Sequence, residues 1–124
     1  MFARRVFQAA AFWGLLVIPL GYASYLSGTE PSLTAIARPE IVHGFFLVTF
    51  AWQLVFGLIS TDPVRYRLLM PIAVIEKLPF AAVTFWLFSG GLVDTTILFM
   101  GAMDALLGTL FAVAFVRTAP VSAP

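Results

Sequence analysis

Four long apolar runs, each closed by a short cluster of Gly, Pro, Asp or Arg, set the pattern of this chain. They cover roughly residues 7–27, 40–60, 68–88 and 92–116. Each is long enough to cross about 30 Å of hydrocarbon at about 1.5 Å per residue. The apolar residues run continuously and do not alternate, which argues against the strands of a membrane barrel. A backbone in lipid must satisfy its own hydrogen bonds, so the runs are predicted to be helices. Gly28-Thr29-Glu30-Pro31-Ser32 opens a first loop reaching Arg38 and Pro39, with room for a short interfacial turn over Leu33 to Ala37. Pro39 falls near the first turn of the second helix, where its missing N–H costs little. Thr61-Asp62-Pro63 ends that helix in a tight turn. Ser89-Gly90-Gly91 stops the third, and Arg117 closes the fourth. The predicted fold is all-α: a polytopic membrane protein, a four-helix transmembrane bundle forming one domain over residues 1–117, with residues 118–124 as a disordered tail.

Composition narrows the function classes. Of 124 residues 61% are hydrophobic and 10% charged, with a mean hydropathy of +1.01. A soluble domain carries about a quarter of its residues charged. A net charge of +1 leaves no basic surface for nucleic acid, so membrane lipid is the expected surrounding partner. The absence of cysteine excludes disulfides, thiolate catalysis, iron–sulfur clusters and thiolate zinc sites. The single histidine, His43, excludes a haem held by two histidines of one chain, and no metal or other cofactor is expected. Arg4-Arg5 before an apolar run is also the layout of a signal peptide, but this run is long for one.

The arginines set the orientation. Four spans put the N-terminus, the second loop and the C-terminus on one side. That side holds Arg4, Arg5, Arg65, Arg67 and Arg117, against Arg38 on the other. The positive-inside rule then predicts both termini to be cytoplasmic. In the turn Asp62-Pro63-Val64-Arg65-Tyr66-Arg67, Asp62 is expected to cap and to pair with Arg65, and both arginines to hold lipid phosphates.

Three ionisable residues interrupt the third and fourth runs. A charge at mid-membrane costs at least about 2.5–3.5 kcal/mol, so Glu76, Lys77 and Asp104 need a reason. From the basic side, Glu76 lies about 12 Å deep and Asp104 about 19 Å. The two helices are antiparallel neighbours, which brings the carboxylates within about a turn of each other. Two carboxylates face one ammonium, and the cheaper state is one ion pair plus one neutral carboxyl. Gly101, Asp104, Ala105 and Gly108 share one helix side, whose small residues let helices approach. Gln53, at a depth near that of Glu76, can complete the polar cluster. His43 shares a face with Glu40 near the outer surface; it serves there as a gate or interfacial hydrogen bond, or, about one turn from Asp104, as a base. Phe46, Phe50, Phe80 and Trp86 are candidates to line a pocket for an apolar ligand. The plainer alternatives are a helix staple for the charges and lipid-facing bulk for the aromatics.

Asp62-Pro63-x-Arg65-x-Arg67, Glu76-Lys77-Leu78 and Asp104 with Phe111 resemble a broad group of small bacterial four-span membrane proteins, and the architecture is similar to the DoxX-like group. The match covers about residues 40–117, and helix 1 carries no motif of the group. The resemblance implies the four-span topology and a bacterial inner membrane; it brings no activity.

Three functions fit these residues. In the first, an intramembrane site binds or transforms an apolar small molecule by acid/base chemistry, as an isomerase or hydrolase does. Glu76, Asp104 and His43 are its catalytic candidates, and Gln53, Lys77, Phe46, Phe50, Phe80 and Trp86 its ligand contacts. In the second, the protein is a proton-coupled small transporter acting as a homodimer. In the third, it is a non-catalytic accessory or assembly subunit of a membrane complex. A pure staple needs one anion for Lys77 and this chain supplies two, which favours the first two.

Overall fold

The computed structural model describes residues 1–29, 38–120 and 122. It contains four long helices and no strand among the described residues: α1 (Phe2–Leu26), α2 (Pro39–Thr61), α3 (Met70–Ser89) and α4 (Thr95–Arg117). A single 3-10 turn, Arg67–Leu69, leads into α3. All four are long and apolar enough to cross a membrane, and the chain is an integral membrane protein built as an all-α four-helix bundle. The expected interfacial turn over Leu33 to Ala37 lies outside the described residues.

The helix boundaries depart from the apolar runs for local reasons. α1 begins at Phe2, so Arg4 and Arg5 lie within its first two turns and not ahead of it. Arginine is a good helix former, and Ala3, Val6, Phe7 and Ala10 already form a buried stripe at spacings of three and four. α4 begins at Thr95, three residues later than the apolar run, because Asp94 caps it: its Oδ1 accepts the backbone N–H of Ile97 at 3.0 Å. α1 and α3 are each followed by a glycine with positive φ, Gly28 at 71° and Gly91 at 69°, a backbone state that residues with a Cβ rarely adopt.

Packing is uneven along the bundle. α1 pairs closely with α2, and α3 with α4, giving two antiparallel hairpins; α1 also packs on α4, while α2 and α3 scarcely meet. The hairpins are pressed together at the end that carries the termini. There Phe7, Phe56 and Phe111 are fully buried, with Phe7 and Phe111 stacked at 4.3 Å, amid Ala10, Met70, Ala73 and Ala114. Towards the other end the hairpins separate, and a smaller cluster of Ile18, Val42 and Phe46 packs with Tyr22 and Tyr25.

The arginines gather at the closely packed end and tie it. Arg4 donates to the carbonyl of Thr61 at the end of α2, 3.2 Å away, where a cation also suits the helix dipole. The Arg117 guanidinium lies over the Phe2 ring. Arg67 donates its Nε–H to the carbonyl of Thr118 at 2.6 Å and stacks on Phe115. Thr118 falls in the predicted tail, yet it is buried; of the rest of that segment, 121, 123 and 124 lie outside the described residues. Asp62 does cap its turn, accepting the backbone N–H of Arg65 at 3.2 Å in place of the expected side-chain pair.

Candidate ligand-binding site

Lys77 lies at the centre of the only charged group within the bundle among the described residues. It sits on the inward face of α3 with Met70, Ala73, Ala81 and Thr84, all buried at helical spacing. Its Nζ is 3.0 Å from Asp104 Oδ1 on α4 and 3.2 Å from Glu76 Oε2 on its own helix. It also lies 5.5 Å from the Phe56 ring of α2. The Lys77 side chain is 6% exposed, against 16% for Glu76 and 18% for Asp104. Despite the approach of Lys77, Glu76 Oε2 is buried without a hydrogen-bond partner of good geometry among the described residues.

Glycines let α4 come close enough for these contacts. A Cβ on Gly101 would lie 2.6 Å from Thr84 Cγ2, and one on Gly108 would lie 2.5 Å from Leu78 Cδ2 and 3.1 Å from Lys77 Cβ. The small face of α4 is thus filled by α3, and Asp104 is carried to Lys77 between the two glycines.

The triad forms part of the wall of a cavity of about 520 Å³ between the two hairpins. Gln53, Phe45, Phe46 and Thr49 line it from α2, and Phe80 joins Glu76 and Lys77 from α3. α1 contributes Trp13, Gly14, Val17 and Gly21; α4 contributes Ile97, Met100, Met103 and Leu107 beside Asp104. The lining is apolar except near the triad and Gln53, and it reaches Ser24 and Thr96 at the separated end. Gln53 is 2% exposed; its Nε2 donates to the Thr49 carbonyl at 2.8 Å and its Oε1 lies against the bare backbone of Gly14. On the α2–α3 side, Phe45 and Phe80 bridge the gap, ring centroids 6.1 Å apart.

The structure therefore brings Glu76, Lys77, Asp104, Gln53, Phe46 and Phe80 to one cavity. Three other candidates lie elsewhere. Trp86 is 71% exposed; at about 100° per residue it falls opposite the Lys77 and Thr84 face of α3. Phe50 is also exposed and outside the cavity lining, although its spacing of four from Phe46 and three from Gln53 puts it within about 60° of both. His43 does not join the carboxylates as a base. Its Nδ1 is 2.6 Å from the Tyr22 hydroxyl, and its ring meets Tyr22 and Tyr25 edge-on. His43 faces α1, and Glu40 pairs with Arg38 instead of sharing a site with it.

Apart from Asp104, the α1 and α4 contributions to the cavity were not read from the sequence. Gly14 and Gly21 are seven residues apart and so share a helix face; that repeat was a readable sign of an inward stripe on α1. Met100 and Met103 carried no comparable signal. Among the described residues no three His, Asp or Glu side chains gather as a metal-binding group. No family model, curated protein or solved structure matches the chain.

Proposed function

We propose that the protein binds an apolar small molecule in the cleft between its hairpins and holds the molecule's polar end on Glu76, Lys77 and Asp104. The observation that carries this reading is the position of the charges. A staple alone would be sealed between helices, whereas this triad forms the wall of an apolar cavity of about 520 Å³, within the usual range for ligand sites of about 300–1,000 Å³. The two carboxylates supply acid/base capacity: a protonated one donates to an epoxide, alkene or carbonyl, and an ionised partner accepts a proton. Isomerase- or hydrolase-like chemistry is the reaction class that this pair suits. The five arginines at the terminal end favour a cytoplasmic location for both termini, and the DoxX-like resemblance favours a bacterial inner membrane.

Native mass spectrometry of the protein in lipid nanodiscs tests the reading. Wild type should carry a small-molecule adduct that Glu76→Gln and Asp104→Asn lose while both variants remain folded. Unliganded protein in all three would end it. The central place of Lys77 between two carboxylates favours a second reading, a helix staple in an accessory subunit. Under that reading, Lys77→Met combined with Asp104→Leu keeps the subunit's function; loss of function in the folded double variant rules it out.

A further inference from the structure

The charge count at the cleft has a consequence for what the cleft selects. The cavity is lined by three charged residues, Glu76, Lys77 and Asp104. α1 presents Gly14 and Trp13 near them, and α2 presents Gln53 and the Phe56 ring; neither helix adds a charge. The site therefore carries two acids against one base. Lys77 is already within 3.2 Å of both carboxylates, so its ammonium is engaged and poorly placed to receive an incoming anion. Glu76 Oε2 is buried with no well-aligned donor among the described residues.

We propose that the cleft selects a lipophilic amine, bound in its ammonium form. The assignment rests on the cleft being a ligand site. The hydrocarbon body lies between the hairpins among Phe46, Phe80 and Met103, and the ammonium donates to Glu76 and Asp104. Such a ligand brings the site to two cations and two anions. A neutral ligand leaves the second acid to be met by a proton, and a carboxylate ligand adds a third anion in apolar surroundings, the costliest of the three. Ammonium–carboxylate hydrogen bonds are charge-assisted, which adds to the preference.

The test compares three probes of one chain length, decylammonium, decanol and decanoate, at neutral pH and equal bilayer loading. Occupancy is read by native mass spectrometry in nanodiscs. Wild type should retain decylammonium about tenfold over decanol, equivalent to about 1.4 kcal/mol, and decanoate least. Glu76→Gln removes the surplus anion and should bring decylammonium and decanol to equal occupancy. Asp104→Asn changes the count in the same way and stands as an independent variant if the first fails to fold. Decanol retained as well as decylammonium by wild type overturns the amine assignment and leaves the cleft as a ligand site. Decanoate retained best overturns it likewise. If wild type retains none of the three, the amine assignment and the ligand-site reading both fall.

Discussion

A methyl group has nowhere to go at Gly101. Its Cβ would lie 2.6 Å from Cγ2 and 2.8 Å from Cβ of Thr84, a short, buried, β-branched side chain that cannot swing aside. The only relief is for α3 and α4 to move apart, which also draws Asp104 from Lys77. At Gly108 the two nearest atoms, Cδ2 at 2.5 Å and Cγ at 2.8 Å, belong to Leu78, a half-buried γ-branched side chain with more rotamers open to it than Thr84, and Lys77 Cβ follows at 3.1 Å. Helix propensity alone would favour alanine at both positions by up to about 1 kcal/mol. The packing term therefore decides the sign. Gly101→Ala should destabilise by about 1–3 kcal/mol, the usual range for an overpacked core, and Gly108→Ala by clearly less. Thermal unfolding in a mild detergent measures both. Equal stability of Gly101→Ala and wild type would mean that the α3–α4 contact yields more easily than these distances allow.

At the scale of the helix, what the sequence disclosed depended on how local the cause was. The existence of α1 to α4 follows from apolar length, a property of each segment alone. The ends follow from single residues. Asp94-Thr95-Thr96 is a readable start signal, yet the apolar residues Leu92 and Val93 before it extend the run and hide it. The Asp94 cap predicts that Asp94→Ala costs about 1 kcal/mol and frays the first turn of α4, whereas Asp94→Asn, which keeps an acceptor, costs a few tenths. Amide exchange at Ile97 and Leu98 reports the fraying; equal protection in Asp94→Ala and wild type would rule out the cap as the helix stop. The charged triad was legible too, because ionisable residues inside apolar runs are rare and helices joined by a short loop must be neighbours. The partner of His43 was not. Nothing in the spacing of α2 indicates that Tyr22, on another helix, lies 2.6 Å from the imidazole. Trp86 and Phe50 show the complementary limit: aromatic content marks a helix, and only its rotation against its neighbours decides whether a ring faces ligand or lipid.

The whole molecule is two hairpins held at one end and parted at the other, and the proposed ligand-binding function makes the route into the cleft a testable matter. Near the terminal end, α1 and α4 are joined through Phe7, Phe111 and Ala114. Beyond the triad, Leu20 of α1 lines the cavity while 61% exposed, and Thr96 of α4 lines it and is exposed as well. On the opposite side Phe45 and Phe80 bridge α2 and α3. If that bridge holds, the expected entrance is on the α1–α4 side at the separated end. The chain has no cysteine, so a Leu20→Cys, Thr96→Cys pair offers the only thiols. Joining them with a cleavable thiol-specific linker should stop ligand exchange in liposomes, and cleaving the linker should restore it. The expected slowing is at least about tenfold, because exchange would then require the Phe45–Phe80 contact or the packed end to open, at a cost of more than about 1.4 kcal/mol. Unchanged exchange in fully linked protein would place the entrance at the Phe45–Phe80 side. In that case Phe45→Ala, which removes half of the bridge, would accelerate it. Both measurements leave the triad intact, so they report the path to the site separately from the chemistry that holds the ligand there.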